Sequence, residues 1–200
     1  SYEPPIDALK PSFRHMDDRD RLLINYSDME KLLSIDLKFL LTKASEQGYP
    51  WESINNPKII PYFTKLLSIG LGTTSQVMTI KRHRFNNDEY MDLQKKTFKI
   101  IPTTLPDKPT TGYFDLSFGV NPKEAISDFA NRYLGGNYLG GGLVQEELMF
   151  HKTPILFLTQ LDQYIKGTPI TLPGYDSLVI KGATQLWDIN MYKIFARDWD

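Results

Sequence analysis

Two adjacent carboxylates follow a glycine-rich loop, and this pairing is the part of the chain best suited to chemistry. Residues 135–142 read GGNYLGGG, and Gln145, Glu146 and Glu147 come directly after this loop. Glycine lets the main chain approach a ligand closely, and exposed N–H groups in such a loop can bind phosphate oxygens. Acidic side chains beside an anion site predict cleavage of a phosphate-bearing molecule.

Each half of this pattern has a commonplace interpretation when it is taken alone. Many loops contain clustered glycines, and a Glu-Glu pair usually lies on a solvated helix face. The loop does not fit the dinucleotide fingerprint G-x-G-x-x-G, and no Gly-Lys-Ser/Thr follows it to make a nucleotide-binding P-loop. The functional hypothesis therefore depends on the glycines and the acids occurring together.

A longer motif becomes visible when the preceding residues are included. With the Asp-Phe-Ala-Asn stretch at residues 128–131, the segment resembles the signature of poly(ADP-ribose) glycohydrolases. The matching positions are Asp128, Phe129, Ala130, Asn131, Gly135, Gly136, Gln145, Glu146 and Glu147. Weaker likeness extends over residues 55–199, through KIIPYF at 58–63, TIKRH at 79–83 and residues 178–192. Asn137 stands in place of the family's third glycine, and INMYK surrounds Tyr192 in place of the family's usual Tyr-Thr-Gly-Tyr.

The resemblance implies a fold and a domain division. It implies an α/β fold with a macrodomain-like mixed β-sheet sandwiched by helices and a helical N-terminal extension. We expect residues 1–54 to form an arm with an accessory helix, and residues 55–200 to form the glycohydrolase core of a single compact domain.

It also implies hydrolysis of the ribose–ribose O-glycosidic bond of poly(ADP-ribose), with release of ADP-ribose. Glu147 matches the catalytic acid, and Glu146 matches the residue that orients the ribose hydroxyls. The glycine loop is expected to hold the diphosphate. The expected substrate-binding residues are Asp128, Phe129, Asn131, Gly135, Gly136, Asn137, Gly141, Gly142, Gln145 and Tyr192.

The chemistry of glycoside cleavage agrees with these roles. The reaction passes through an oxocarbenium-like transition state and needs a proton for the leaving oxygen. Neighbouring helix residues point about 100° apart, so Glu146 and Glu147 cannot face each other across one bond. We therefore expect unequal roles for them.

Composition narrows the other possibilities. The net charge of −1 gives no global basic field for nucleic acid or membrane, so we expect neither DNA nor membrane binding. The chain has no cysteine, which excludes a disulfide or a thiol nucleophile. We expect no metal and no cofactor, because His15, His83 and His151 match no ligand spacing. His151 lies one helical turn beyond Glu147, so two alternatives stay open: a structural residue or a neighbour of the site.

Several further side chains allow a structural and a functional interpretation. Lys81, Arg82 and Arg84 form either a solvated strand edge or a contact for the polymer's phosphates. Tyr138 either covers the ligand or packs inside the protein. Trp51, Trp187 and Trp199 are expected to pack, with ring stacking as the alternative for Trp187. Phe118 is a candidate for ring stacking.

Patterns along the chain predict the elements that position these residues. An apolar stripe that reaches Leu41 predicts one helix from Ser27, with a capping box between Ser27 and Glu30, and Gly48 and Pro50 are expected to stop it. A shorter helix is predicted at 57–67 and a helix opening at residues 143–150. Strands are predicted at 76–83, 93–101, 125–129 and 177–181.

We expect a monomer inside the cell, cytoplasmic or nuclear, that acts on poly(ADP-ribose) or an ADP-ribosylated protein. A module that binds ADP-ribose without cleaving it is the main alternative. An unrelated interaction domain that carries the motif by coincidence is a third possibility.

Overall fold

The computed structural model describes residues 21–48, 59–72, 76–99, 125–138, 142, 144–172 and 176–186. Within these ranges the chain forms, in order, β1 (Arg21–Asn25), α1 (Tyr26–Leu33), α2 (Leu37–Glu46), α3 (Ile59–Ile69), β2 (Val77–His83), α4 (Asn87–Gln94), α5 (Gln145–Lys152), α6 (Pro154–Ile165) and β3 (Ser177–Lys181). None of the helices in these ranges has the length and apolar character needed to cross a membrane.

The three strands form one sheet in the order β1-β2-β3, and both neighbouring pairs are antiparallel. Side chains alternate along β2, so that Met78 and Ile80 are buried whereas Thr79 and Lys81 are exposed. Ile80 pairs with Leu22 of β1 and faces Ile180 of β3, which continues the apolar side across the sheet. Since helices cover this side, the opposite side of the described sheet faces solvent.

Helix α6 lies at the centre of the core. All of its residues are buried, and it packs against α1, α2 and α5. A helix buried on every side must satisfy its polar groups internally. Gln160 does so by donating to the carbonyl of Ile170 at 3.0 Å and accepting the N–H of Ile170 at 2.9 Å. Asp162 forms an ion pair with Lys166 at 2.7 Å.

A proline separates α5 from α6. Thr153 precedes Pro154 and has φ −125° and ψ 76°, outside the helical region. The residue before a proline is disfavoured in the helical conformation, whereas proline itself suits the first turn of a helix. The chain therefore turns at Thr153, and α5 carries the two glutamates on a helix distinct from α6.

The single helix predicted from Ser27 to the stop at Gly48 is wrong, because two helices, α1 and α2, occupy this stretch. Asp36 breaks it by accepting the N–H of Phe39 at 2.9 Å, which caps the start of α2. The predicted capping box is also wrong, since Asn25 is the N-cap and Ser27 lies inside α1. Glu30 instead accepts the N–H of Leu71 at 2.7 Å and so holds the end of α3.

Two predicted strands are also wrong. The first was predicted at residues 93–101, but Leu93 lies in helix α4. This helix begins after Asn86, whose side-chain oxygen accepts the N–H of Glu89 at 2.8 Å. Residues 96–99 have no regular structure. Residues 125–130 form no strand, because their hydrogen bonds go to side chains of α5. The strands at 76–83 and 177–181, the helix at 57–67 and the helix at 143–150 are confirmed within the described residues.

The α/β class is confirmed, with a small antiparallel sheet where a mixed one was predicted. A mixed sheet requires parallel pairs, and the described strands contain none. The sandwich arrangement and the domain boundary after residue 54 stay predictions, although β1 pairs with β2 in the same sheet.

Candidate active site

The glycine loop and the start of α5 meet through the side chain of Glu147. Its Oε2 accepts the N–H of Val144 at 3.0 Å, and its Oε1 accepts the N–H of Asn137 at 3.3 Å. Val144 is the N-cap of α5 and has no side-chain acceptor, so only the glutamate half of a capping box forms. One carboxylate therefore links the loop to the first turn of the helix.

Two glycines leave room for this carboxylate. A Cβ added to Gly142 would lie 2.5 Å from Oε1 of Glu147, and one added to Gly136 would lie 3.1 Å from the same atom. Gly136 also has φ +57°, which favours glycine. The loop sequence is thus required by the close approach of main chain and acid.

Glu146 points to a different part of the site. Its Oε1 accepts the N–H of Asn131 at 2.8 Å, and it also hydrogen-bonds the main chain of Gly135 and the side chain of Asp128. The side chains of Glu146 and Glu147 are both buried. The two neighbouring acids have unlike surroundings, because successive helix positions face different directions.

Asp128 and Glu146 form a carboxyl pair. Burial and the hydrogen bond with Asp128 raise the pKa of Glu146 from its usual 4.5 to about 9, and burial also raises the pKa of Asp128. Oδ1 of Asp128 and Oε2 of Glu146 are both buried and have no donor within the part of the chain that the structure describes. A proton held on Glu146 and donated to Asp128 explains both observations.

Gln145 fixes the Asp-Phe-Ala-Asn stretch against α5. Its Nε2 donates to the carbonyl of Ser127 at 2.7 Å, and its Oε1 accepts the N–H of Phe129 at 2.8 Å. This paired contact places Asp128 opposite the helix without a β-strand. The substrate contact predicted for Gln145 stays a prediction.

The described loop N–H groups have acceptors inside the protein. Gly135 donates to Glu146, Asn137 donates to Glu147, Gly136 donates to the carbonyl of Tyr133 at 3.0 Å, and Gly142 donates to that of Asn137 at 3.1 Å. The N–H groups of Gly135 and Asn137 therefore orient the carboxylates, whereas those of Gly136 and Gly142 hold the loop to itself. Binding of a diphosphate by the loop stays a prediction, and Gly141 lies outside the described residues.

The structure places Phe129 and Asn131 at the surface beside the buried acids. Phe129 is 57% exposed, and the side chain of Asn131 accepts the N–H of Tyr133 at 3.1 Å. Asn137 is also exposed. The candidates that lie outside the described residues are His15, Trp51, Phe118, Trp187, Tyr192 and Trp199.

The basic cluster does not act as one unit. Lys81 is exposed, whereas Arg82 is buried and donates to Asp176 at 3.0 Å. Arg84 lies 3.7 Å from the same carboxylate. Within the described residues no group of three or more metal-ligating side chains is suitably placed to hold a metal ion.

Sequence reasoning missed two relations in this site. Asp128 was predicted to bind substrate, but its hydrogen bond with Glu146 was not predicted. The rings of His151 and Tyr138 are both buried, and their centroids lie 6.5 Å apart. The four-residue spacing from Glu147 to His151 was the available signal, since it puts both side chains on one face of α5.

Comparison with known protein families finds a match for the C-terminal part of the chain. Residues 118–195 match the family model described as poly (ADP-ribose) glycohydrolase (PARG), macro domain fold. The resemblance to the poly(ADP-ribose) glycohydrolase family is confirmed over these residues. The match covers less than half of the chain and includes both glutamates, the glycine loop, α5, α6 and β3. It indicates a glycohydrolase or another ADP-ribose-related function on a macro-domain fold.

No curated protein matches the chain, and no solved structure matches it.

Proposed function

We propose that this protein hydrolyses ribose–ribose O-glycosidic bonds in poly(ADP-ribose) and releases ADP-ribose. The substrate is the free polymer or the polymer attached to a protein. We further propose that Glu147 is the general acid, that Glu146 orients ribose hydroxyls, and that Asn131 holds the terminal ribose. The protein is expected to act as an intracellular monomer without a cofactor.

The observation that carries this proposal is the position of the two buried acids against the glycine loop. Main-chain N–H groups at residues 131, 135, 137 and 144 all hydrogen-bond Glu146 or Glu147. A packing role does not require two desolvated carboxylates held by four separate donors. Preorganised acids are what glycoside cleavage requires, since groups fixed before the reaction need no rearrangement during it.

In the proposed reaction, Glu147 as general acid gives a proton to the glycosidic oxygen. The bond between that oxygen and the anomeric carbon breaks, and its electron pair leaves with the oxygen. Water then adds to the oxocarbenium-like carbon and returns a proton to the Glu147 carboxylate. The substrate's diphosphate, being negative, stabilises the cation that forms.

The proton shared by Asp128 and Glu146 suits the orienting role. A neutral carboxyl group donates one hydrogen bond and accepts another, as a sugar hydroxyl does. Asp128 accepts a hydrogen bond from the Glu146 carboxyl group. We propose that a ribose hydroxyl of the substrate joins this pair.

Labelled polymer incubated with wild type, Glu147→Gln and Glu146→Gln tests the proposal, with binding of ADP-ribose measured by calorimetry. We expect Glu147→Gln to lose nearly all turnover while it keeps its affinity, because glutamine cannot donate the proton. Glu46→Gln, an exposed change on α2 far along the chain, is the matched control and should keep full turnover.

Each alternative gives a different result. A module that only binds ADP-ribose would show affinity in the wild type but no release, and an unrelated domain would show neither. Unchanged turnover in Glu147→Gln, with loss in Glu146→Gln, would reverse the two roles.

A further inference from the structure

The side of the sheet that faces away from the helices is basic, and we call it the outer face. Its side chains come from alternate positions of the three strands: Arg21, Leu23, Asn25, Val77, Thr79, Lys81, His83, Ser177, Val179 and Lys181. Leu23 is 55% exposed and Val179 is 50% exposed, so this face is open to solvent. None of these positions is an acid, although the chain has 24 Asp and Glu against 23 Lys and Arg. The cations of the outer face are therefore segregated from the acids of the chain.

The strand register brings three cations of the outer face together. Arg21 lies directly opposite Lys81 on the neighbouring strand. Lys181 lies opposite Thr79, which is two residues from Lys81 on β2. Directly opposed side chains on one face have Cβ atoms about 5 Å apart and diagonal ones about 7 Å apart, and like charges opposed in this way repel each other. An anion that contacts these cations would remove the repulsion.

Two of these cations are available to such an anion. Lys81 and Lys181 are both exposed, and neither forms an ion pair with an acid in the part of the chain that the structure describes. Glu89 of α4 lies 3.9 Å from Nε2 of His83, at the end of β2. The two lysines therefore present their charges to solvent.

Aliphatic side chains lie beside the cations. Val179 is the cross-strand partner of Lys81, and Leu23 is that of Thr79, one row further along the sheet. Successive rows are about 6.7 Å apart, because each residue of a strand advances about 3.3 Å. Poly(ADP-ribose) alternates diphosphate groups with adenosine, so the cations can contact phosphates while the aliphatic side chains contact a base. The outer face has no Phe, Tyr or Trp, the rings on which RNA-binding sheets stack bases, so its chemistry favours the diphosphate polymer over RNA.

We propose that the outer face is a second binding surface for poly(ADP-ribose), where Arg21, Lys81 and Lys181 contact diphosphate groups of the chain away from the bond that is cleaved. This inference rests on the function proposed above. A polymer held at this face and at the active site binds more tightly than either contact alone allows, because the second contact forms within one complex. A local cluster of cations is required, since a protein of net charge −1 does not attract a polyanion as a whole.

Neutralising the three cations tests the proposal. The outer-face variant combines Arg21→Gln, Lys81→Gln and Lys181→Gln, all at exposed positions where glutamine can be accommodated. We expect its KM for long polymer to rise about tenfold at low salt, because three phosphate contacts are lost. Its kcat at saturating polymer and its dissociation constant for ADP-ribose should stay within about twofold of the wild type, since only binding remote from the cleaved bond is removed.

The matched control removes the same charge elsewhere. It combines Lys38→Gln, Lys43→Gln and Lys65→Gln on α2 and α3, and its KM for long polymer should equal that of the wild type.

Salt dependence separates phosphate contacts from packing. For a single strand, the logarithm of the association constant falls with the logarithm of the salt concentration by about 0.7 for each phosphate contact, so the slope of the outer-face variant should be smaller by about 2. The measurement is the fluorescence anisotropy of labelled polymer, with Glu147→Gln present in every protein to prevent cleavage.

The binding measurement distinguishes failure of this inference from failure of the proposed function, because it needs no turnover. An unchanged affinity and slope in the outer-face variant would overturn the second surface even in an active enzyme. Equal losses in the outer-face and control variants would also overturn it, as would equally tight binding of single-stranded RNA with the same number of phosphates. Weaker polymer binding by the outer-face variant of a protein that cleaves no polymer would retain the second surface and reject the proposed function.

Discussion

The proton held by Asp128 and Glu146 predicts a specific dependence of stability on pH. Folded Glu146 keeps its proton up to about pH 9, whereas the ordinary pKa of the same group is 4.5. Between these values the folded state binds more protons than the unfolded state. The free energy of unfolding should therefore fall as pH rises through this window, and the Glu146→Gln variant should lack this contribution.

The slope has an upper limit set by a single proton. That limit is about 1.4 kcal/mol per pH unit. Because Asp128 shares the proton and the protein interior relaxes around a new charge, we expect about half of it, ~0.7 kcal/mol per pH unit. Glutamine fits the position, since its amide can donate to Asp128 and its oxygen can accept the N–H of Asn131 at 2.8 Å as Glu146 does.

Urea unfolding between pH 7.5 and 8.5 gives the clearest measurement. The buried acid Asp162 has its pKa raised by burial to about 7, and burial lowers that of His151 to about 3. His151 has finished titrating below this range, and the contributions of Asp162 and of the other ionisable groups cancel when wild type and Glu146→Gln are compared. The wild type should lose stability relative to Glu146→Gln as pH rises.

Two further variants sharpen the comparison. Asp128→Asn replaces the acceptor by a group that can donate to the Glu146 carboxylate, so the slope should become smaller. Glu46→Gln is exposed on α2 and should keep the wild-type slope. Parallel lines for wild type and Glu146→Gln across this range would refute the shared proton.

Three other predictions concern the close approach at Gly142, the buried hydroxyl of Tyr26 and the buried side chain of Leu66. Gly142→Ala should fold and lose at least about tenfold in polymer turnover, because its Cβ would lie 2.5 Å from Oε1 of Glu147; wild-type turnover would contradict the close approach. Tyr26→Phe should lower the free energy of unfolding in urea by about 1–2 kcal/mol. The lost hydroxyl donates to the carbonyl of Gly182 at 2.7 Å and accepts the N–H of Thr184 at 2.9 Å. A change near zero would mean that these two groups are hydrated freely in the variant. Leu66→Ala should lower the free energy of unfolding by about 2–5 kcal/mol, because Leu66 is fully buried. Leu67→Ala, at the half-exposed neighbouring position, should lower it by only ~0.5 kcal/mol. Equal losses would contradict the burial of one face of α3.

The sequence predicted the elements whose signals are local. The alternating pattern of residues 76–83 gave β2, and the short apolar run at 177–181 gave β3. The stripe from Ser27 predicted helix but missed the break, because the cap at Asp36 interrupts a pattern that is otherwise continuous. A strand was predicted from Leu93 to Ile101, but Leu93 lies in helix α4, whose start is capped by Asn86.

For the candidate site, the sequence by itself determined which residue types occur together: the glycines, the two acids and the Asp-Phe-Ala-Asn stretch that carries the family likeness. Only the tertiary structure decided how they interact. Asp128 meets Glu146 because Gln145 binds the main chain of residues 127 and 129, and the ring of Tyr138 lies near that of His151 because Tyr138 is buried against α6. The physical reason is that a pKa depends on burial and on partners distant in the chain, whereas sequence patterns report neighbours along it.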